Sequence, residues 1–176
     1  LQKLELSPEV FEDLREHCRE LDIDFISTAF DSASLDQVVA LSPACLKWPS
    51  GELNNLPLLK QAAKASLPVI LSTGMATLSE VEAGLAVLAH AGLHDTPPSG
   101  FDDCWTAWAD PQARAILKTR VTLLHCTSNY PAPIHEVNLR AMDTLRDAFG
   151  FDTGYSDHTQ GILIPVAAAA RGACVI

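Results

Sequence analysis

The segment Gly154-Tyr155-Ser156-Asp157-His158-Thr159 puts an imidazole, a carboxylate and two hydroxyls into one turn, directly after a short apolar run. An imidazole nitrogen of His158 can ligate a divalent metal, and the Ser156 and Thr159 hydroxyls can donate to an anion beside it. The turn therefore reads as half of a metal and oxyanion site. Asp157 stands where it could orient the imidazole from behind, as metal-bound histidines commonly require. A His-Asp pair that only satisfies itself inside a loop would look the same in sequence.

Four earlier apolar runs end in similar clusters. They are Ser27-Thr28-Ala29-Phe30-Asp31, Lys47-Trp48-Pro49-Ser50-Gly51-Glu52, Leu71-Ser72-Thr73-Gly74-Met75 and His125-Cys126-Thr127-Ser128-Asn129-Tyr130. Stepping along the chain, strands are predicted near residues 24–28, 44–47, 68–72, 121–126 and 152–156, with a sixth beginning at 174–176. Helical periodicity fills the intervals: an amphipathic helix opened by Ser7-Pro8, then stretches at 35–41, 56–65, 78–91, 137–149 and 162–171. Thr77 to Glu80 spells a capping box, and Gly150 and Gly172 fall where helices stop. Residues 94–110, with Trp105 and Trp108, break the rhythm as an insertion closed by the helix start Asp110-Pro111.

Apolar strands alternating with amphipathic helices require a parallel sheet covered by helices. An open doubly wound sheet and a closed barrel both satisfy that alternation. Polar residues at nearly every strand end favour the barrel, because a doubly wound sheet concentrates chemistry at one switch point. The fold expected is α/β, a TIM (β/α)8 barrel incomplete at both ends, with about six of the eight strands present. Residues 1–176 then form one partial catalytic domain.

Composition limits the partners. A formal charge of -10, from 22 acidic and 12 basic side chains, argues against nucleic acid and against an anionic membrane surface. No apolar run approaches the roughly 20 residues of a membrane span, and the start at Leu1 lacks a signal-peptide pattern. The five cysteines form an odd set without a C-x-x-C pair, which fits a reducing, cytoplasmic setting better than a disulfide framework.

Taken in order, the five clusters resemble the catalytic barrel of the sialic acid synthase family, which includes N-acetylneuraminate, legionaminate and related nonulosonate synthases. The resemblance covers nearly the whole chain. It implies condensation of phosphoenolpyruvate with the open-chain aldehyde of an N-acyl hexosamine such as N-acetylmannosamine, with release of phosphate. By the same resemblance Thr28, Lys47, Ser50, Ser72 and Ser156 bind phosphoenolpyruvate, whose carboxylate and phosphate need hydroxyl donors around a cation. His158 is one of two metal-binding histidines for manganese, or for magnesium or cobalt, and acts in catalysis through that ion. Glu52 positions or deprotonates water, and Tyr130 faces the amino sugar. The family's substrate-facing asparagine corresponds either to Ser128 or, shifted by one, to Asn129. The resemblance also implies a homodimer, a C-terminal antifreeze-like domain absent from residues 1–176, a second histidine beyond Ile176, and a glutamate and a lysine before Leu1.

Plainer readings exist for the same residues. Lys47 can be a strand-end lysine snorkelling to solvent; Thr28, Ser72 and Thr73 can close turns. Asp31 is most simply a helix N-cap, His125 and Cys126 read as packing residues, and the two tryptophans as packing for the insertion. Trp48-Pro49 and Ala29 depart from the family's usual residues. Two other functions compete: a class I aldolase-like lyase with Lys47 as Schiff-base lysine, and a noncatalytic barrel remnant.

Overall fold

The computed structural model describes residues 5–176. In chain order, α1 (Pro8–Glu20) and α2 (Ser32–Ala40) precede β1 (Leu46–Trp48), and α3 (Leu56–Lys64) leads to β2 (Val69–Ser72). Three helices follow, α4 (Leu78–Leu93), α5 (Phe101–Ala109) and α6 (Pro111–Lys118), before β3 (Val121–Cys126). Then come α7 (Arg140–Phe149), β4 (Asp152–Ser156) and α8 (Leu163–Ala170).

The four strands form one parallel sheet in the order β1-β2-β3-β4. Spatial order equal to chain order, with a helical crossover at each step, is the arrangement of consecutive barrel strands; a doubly wound sheet would reverse direction at a switch point.

Side chains alternate across this sheet. Leu46, Trp48, Val69, Leu71, Val121 and Leu123 point to the helices and form the main core with Leu59, Leu85 and Phe149. Lys47, Ile70, Thr122 and Asp152 share one level of the opposite face, because the registers pair Lys47 with Ile70, Ile70 with Thr122 and Thr122 with Asp152. The next level carries Ser72, Leu124 and Gly154. Above it, Cys126 lies beside Ser156.

Local chemistry fixes the helix starts. Thr77 and Glu80 cap α4 reciprocally: the Glu80 amide donates to Thr77 Oγ1 at 3.3 Å, and the Thr77 amide donates to Glu80 Oε2 at 2.7 Å. Asp31 caps α2 by accepting from the Ser34 amide at 2.9 Å, as its plainer reading requires. Gly150 ends α7 in the left-handed region at φ 71.

The structure corrects three expectations. Residues 24–28 are not a strand: their backbone joins no ladder, and a strand exists only where a neighbour pairs with it. Four strands are therefore present among the described residues where about six were expected. Residues 174–175 do extend the β4 edge, with the Cys174 amide bonded to the Thr153 carbonyl at 3.0 Å and the Tyr155 amide to the Val175 carbonyl at 2.9 Å, but without a regular strand. The insertion at 94–110 is itself largely helix, since α5 packs on α4 through Cys104, Ala107 and Trp108. Helix α1 forms as expected, yet its Val10 and Leu14 remain 37% and 42% exposed. Among the described residues no helix is long and apolar enough to cross a membrane.

Leu71 is fully buried at the centre of this core. Leu71→Ala is expected to destabilise the fold by about 2–5 kcal/mol, whereas Thr77→Ala at the α4 cap should cost about 1 kcal/mol. Urea unfolding checks both values. Equal losses would contradict the placement of the core.

Candidate active site at the carboxyl ends of the strands

Lys47 projects from the non-helical face of β1, and its stem rises one level to the neighbouring strand. There Nζ donates to Ser72 Oγ at 2.7 Å and to the Trp48 carbonyl at 3.3 Å. Burial pushes the Lys47 pKa below the ordinary lysine range, with the nearby Cys126 thiol acting in the opposite sense. Among the described residues no carboxylate bonds to this ammonium. A half-buried cation held only by neutral oxygens is a standing invitation to an anion.

Next to it, the one-turn helix Ser50–Glu52 is pinned by the Trp48 indole, which donates to the Glu52 carbonyl at 2.9 Å. That places Ser50 Oγ to accept from the Gly74 amide at 2.8 Å. Ser72 and Ser50 thus share a polarity: each oxygen accepts from a fixed protein N–H, so each hydroxyl proton is free to donate to a ligand. The Glu52 carboxylate turns instead to Asn55, accepting from its Nδ2 at 2.8 Å, and Asn55 in turn caps α3.

On the β3 and β4 side, His158 Nδ1 lies 3.2 Å from the Thr127 carbonyl and 3.8 Å from Cys126 Sγ, with the Tyr130 ring centroid 4.2 Å from its own. An Nδ1–H directed at Thr127 leaves Nε2 unprotonated, which is the tautomer a metal ligand needs. Asp157 does not do the orienting that its position had promised. Its Oδ1 accepts from the Thr159 amide and hydroxyl at 2.9 and 2.8 Å, an Asx-type turn that leaves the imidazole to the carbonyl.

Ser128 and Asn129 point apart. Ser128 Oγ lies over Gly74, 2.4 Å from where a Cβ would stand there, while the Asn129 side chain accepts from the Tyr130 amide and approaches Glu136 at 3.5 Å. Tyr130 is 72% exposed. Thr28 stands away from this network: it lines a separate cleft with Pro8, Phe11, Ser34 and Val38, and among the described residues no hydrogen bond links it to Lys47, Ser50 or Ser72. Lys47, Ser50, Ser72, Ser128, Ser156 and His158 belong to the ends of β1 to β4. Glu52 sits at the rim.

Two contributors escaped the residue-by-residue reading. Gly74 was only one letter of a strand-end cluster, and Cys126, buried as a packing residue should be, also touches the His158 ring. Among the described residues no three side chains of His, Cys, Asp or Glu converge on one point. His158 fits as a single metal ligand, and the rest of such a donor set is not among them.

The family profile named NeuB matches residues 1–176, and the chain belongs to the NeuB family. Over 176 residues it is 46% identical to the N,N'-diacetyllegionaminic acid synthase of Campylobacter jejuni, covering 100% of this chain and 46% of that protein. The synthase of the same name from Legionella pneumophila is 44% identical over 176 residues, with 100% and 44% covered. Among solved structures, the N-acetylneuraminic acid synthetase of Leptospira borgpetersenii in complex with citrate superposes with a TM-score of 0.74 at 33% identity, covering 98% of this chain and 51% of that one. The chain spans less than half the length of the two curated relatives. Its four-stranded parallel sheet matches the family's barrel over that partial length.

The Lys47 environment sets a pH dependence. Burial penalises the charged amine, so the destabilisation is fully present below the depressed pKa of the folded state. Between that pKa and the ordinary lysine range the unfolded chain holds more protons, and stability rises with pH. Wild type should therefore gain on Lys47→Met across this alkaline window, as measured by urea unfolding at stepped pH. Parallel curves would show that the amine is not desolvated.

Proposed function

We propose that the complete protein is a nonulosonate synthase, condensing phosphoenolpyruvate with the open-chain aldehyde of an N-acyl hexosamine and releasing phosphate. The observation that carries the reading is the 2.7 Å contact of Lys47 with Ser72, a cation that has no carboxylate partner among the described residues, beside two hydroxyls whose protons are free. Such a set suits a ligand carrying both carboxylate and phosphate. Lys47, Ser50, Ser72 and Ser156 bind phosphoenolpyruvate, and Thr28 would join them only by a movement of the segment before α2.

In the reaction the enol carbon of phosphoenolpyruvate forms a bond to the aldehyde carbon, and the aldehyde oxygen becomes a hydroxyl. Water adds to the resulting cationic carbon, its first proton balancing the one taken up by the aldehyde oxygen, and phosphate leaves by cleavage of the C–O bond to that carbon, carrying the second proton as the ketone forms. Glu52 accepts the water's proton, with the carboxylate oxygen not bonded to Asn55 available for it. His158 would be one ligand of a divalent metal, manganese or else magnesium or cobalt, which supplies Lewis-acid polarisation of the aldehyde oxygen. Tyr130 faces the acceptor sugar, Ser128 takes the substrate-facing position of this turn, and Asn129 supports the loop through the Tyr130 amide and Glu136.

The relatives' names bear on the acceptor. A product carrying two N-acetyl groups must take both from the sugar, because phosphoenolpyruvate has no nitrogen. Identities of 46% and 44% to N,N'-diacetyllegionaminic acid synthases thus favour a diacetamido hexose over N-acetylmannosamine. The proposal includes a complete (β/α)8 barrel, a further C-terminal domain, a homodimer and a cytoplasmic setting.

The depressed pKa of Lys47 also fits a Schiff-base lysine. Borohydride with pyruvate separates the readings: a trapped adduct on Lys47 would establish the lyase, and its absence with phosphate release from phosphoenolpyruvate the synthase. In the full-length protein His158→Ala should abolish condensation and weaken manganese binding at least tenfold in calorimetric titration, on the order of losing a ligand-shell residue. Phosphoenolpyruvate affinity should persist. Unchanged manganese affinity would return His158 to a loop histidine satisfied by Thr127.

A further inference from the structure

Residues 94–110, which interrupt the alternation of strand and helix, wall a cleft on the helical side of the sheet. Helix α3 forms one bank and the stretch from Pro98 to Cys104 the other, enclosing about 510 Å³. A second cleft of about 320 Å³ adjoins it at the end of α4, and Lys60, Lys64, Val87 and Pro98 line both. The first is largely apolar, faced by Leu56, Pro57 and Phe101, with the Trp105 ring edge-on to Phe101 at 5.2 Å. The second is polar, with Ser66, His90, His94 and Thr96. An apolar wall with a few polar groups at one end is the make-up of a small-molecule site.

His90 is hard to explain by packing. It is only 6% exposed and lines the second cleft, yet among the described residues no hydrogen bond reaches its ring. The other buried residues of α4 are aliphatic or glycine, so the core does not call for an imidazole, and a buried polar group without a partner is costly. Burial pushes the His90 pKa below the ordinary histidine range, with His94 acting in the same sense, Asp103 against it and Lys60 with it. The ring is therefore neutral at pH 7 and keeps one N–H to donate. Lys60 and Lys64 belong to none of the ion pairs among the described residues. Asp95 is the only carboxylate of those residues lining either cleft, and Asp103 is taken up by the Ser99 amide and hydroxyl, both at 2.7 Å. The carbonyl ends of α3 and α4 offset part of the positive charge, but Lys60 stands a full turn before the end of α3, beyond their reach.

We propose that this cleft binds a small phosphate monoester with an apolar body, the phosphate against Lys60, Lys64 and the His90 N–H, and the body against Phe101 and Pro98. Two ammonium groups, an imidazole and the Ser66 and Thr96 hydroxyls are more donors than the two oxygens of a carboxylate would use, whereas a phosphate offers three oxygens and a second charge. None of these residues stands at a strand end, and His90 lies about 20 Å along α4 from Thr77. The cleft and the candidate active site can therefore be tested apart.

Calorimetric titration of phenyl phosphate into the full-length protein carrying Lys47→Met, which removes the cation of the candidate active site, should give a Kd on the order of 0.1 mM. Adding Lys60→Gln and Lys64→Gln should weaken it about tenfold or more, because two charge-assisted bonds are lost. Phe101→Ala should weaken phenyl phosphate but not inorganic phosphate, and benzoate should bind less tightly than phenyl phosphate. His90→Phe separates a binding role from a structural one: affinity should fall while the urea midpoint holds or rises, since an unpartnered polar group gives way to an apolar ring of similar size. A histidine kept for structure would lower the midpoint instead. No binding in the Lys47→Met protein, affinity indifferent to the two lysines, benzoate binding as tightly as phenyl phosphate, or a lowered midpoint for His90→Phe would each overturn the proposal.

Discussion

An ammonium group held against a parallel sheet by neutral oxygens is the constraint around which the rest of this site is arranged. Lys47 can reach Ser72 only because the β1 and β2 registers place the serine one level above it on the same face. That register depends on Trp48 and Leu71 being buried on the other face, since a slip of one residue would exchange core for site. Packing on the helical side and charge placement on the opposite side are one specification. Burial lowers the lysine's affinity for its proton, and a bound anion would restore it, which couples occupancy of the site to the charge of Lys47.

Hydrogen-bond polarity extends the same logic to the neighbouring groups. Donors from the protein, Lys47 Nζ and the Gly74 amide, occupy the acceptor sides of Ser72 and Ser50. The hydroxyls are thereby set as donors before any ligand arrives, so little reorganisation is required on binding. Across the site, the Thr127 carbonyl performs the reciprocal task by accepting from His158 Nδ1 and leaving Nε2 as a lone-pair donor. Backbone groups, which no side-chain substitution removes, hold one end of the Ser50 and His158 arrangements, whereas Lys47 and Ser72 meet side chain to side chain.

Much of this was legible in the amino-acid sequence, and the exceptions have physical causes. Short apolar runs ending in polar clusters located β1 to β4 within a residue or two, and the Thr77 to Glu80 pattern marked the α4 start. Residues 24–28 misled because apolar content marks a segment fit for a sheet, while a strand needs a partner ladder that sequence does not display. Asp157 misled because adjacency to His158 is not contact: its carboxylate finds the nearer Thr159 donors. The choice between Ser128 and Asn129 was open in sequence, as both are small polar residues in one turn. The two differ in direction, which sequence does not display: Ser128 lies over Gly74 and Asn129 beside Glu136. Thr28 and Glu52 matched the family pattern, yet among the hydrogen bonds of the described residues neither reaches the side chain of Lys47, Ser50 or Ser72.

The two halves of the site differ in how firmly they are built, and that difference bears on how one family could serve several sugars. Lys47 and Ser72 are on strands, and Ser72 is 2% exposed, so both stand directly on the core. Ser128 and Tyr130 follow β3 in a loop, and the Tyr130 ring meets that of His158. Loops accept substitution more readily than strands because fewer buried contacts depend on them. A reaction that always uses phosphoenolpyruvate but varies its acceptor would be served by this division. Gly74 lies on the boundary, bonded to Ser50 in the turn after β1 and packed against Ser128 in the loop after β3. A residue with no side chain is well suited there, since any atom added would tie a change on the loop side to a disturbance of the strand side.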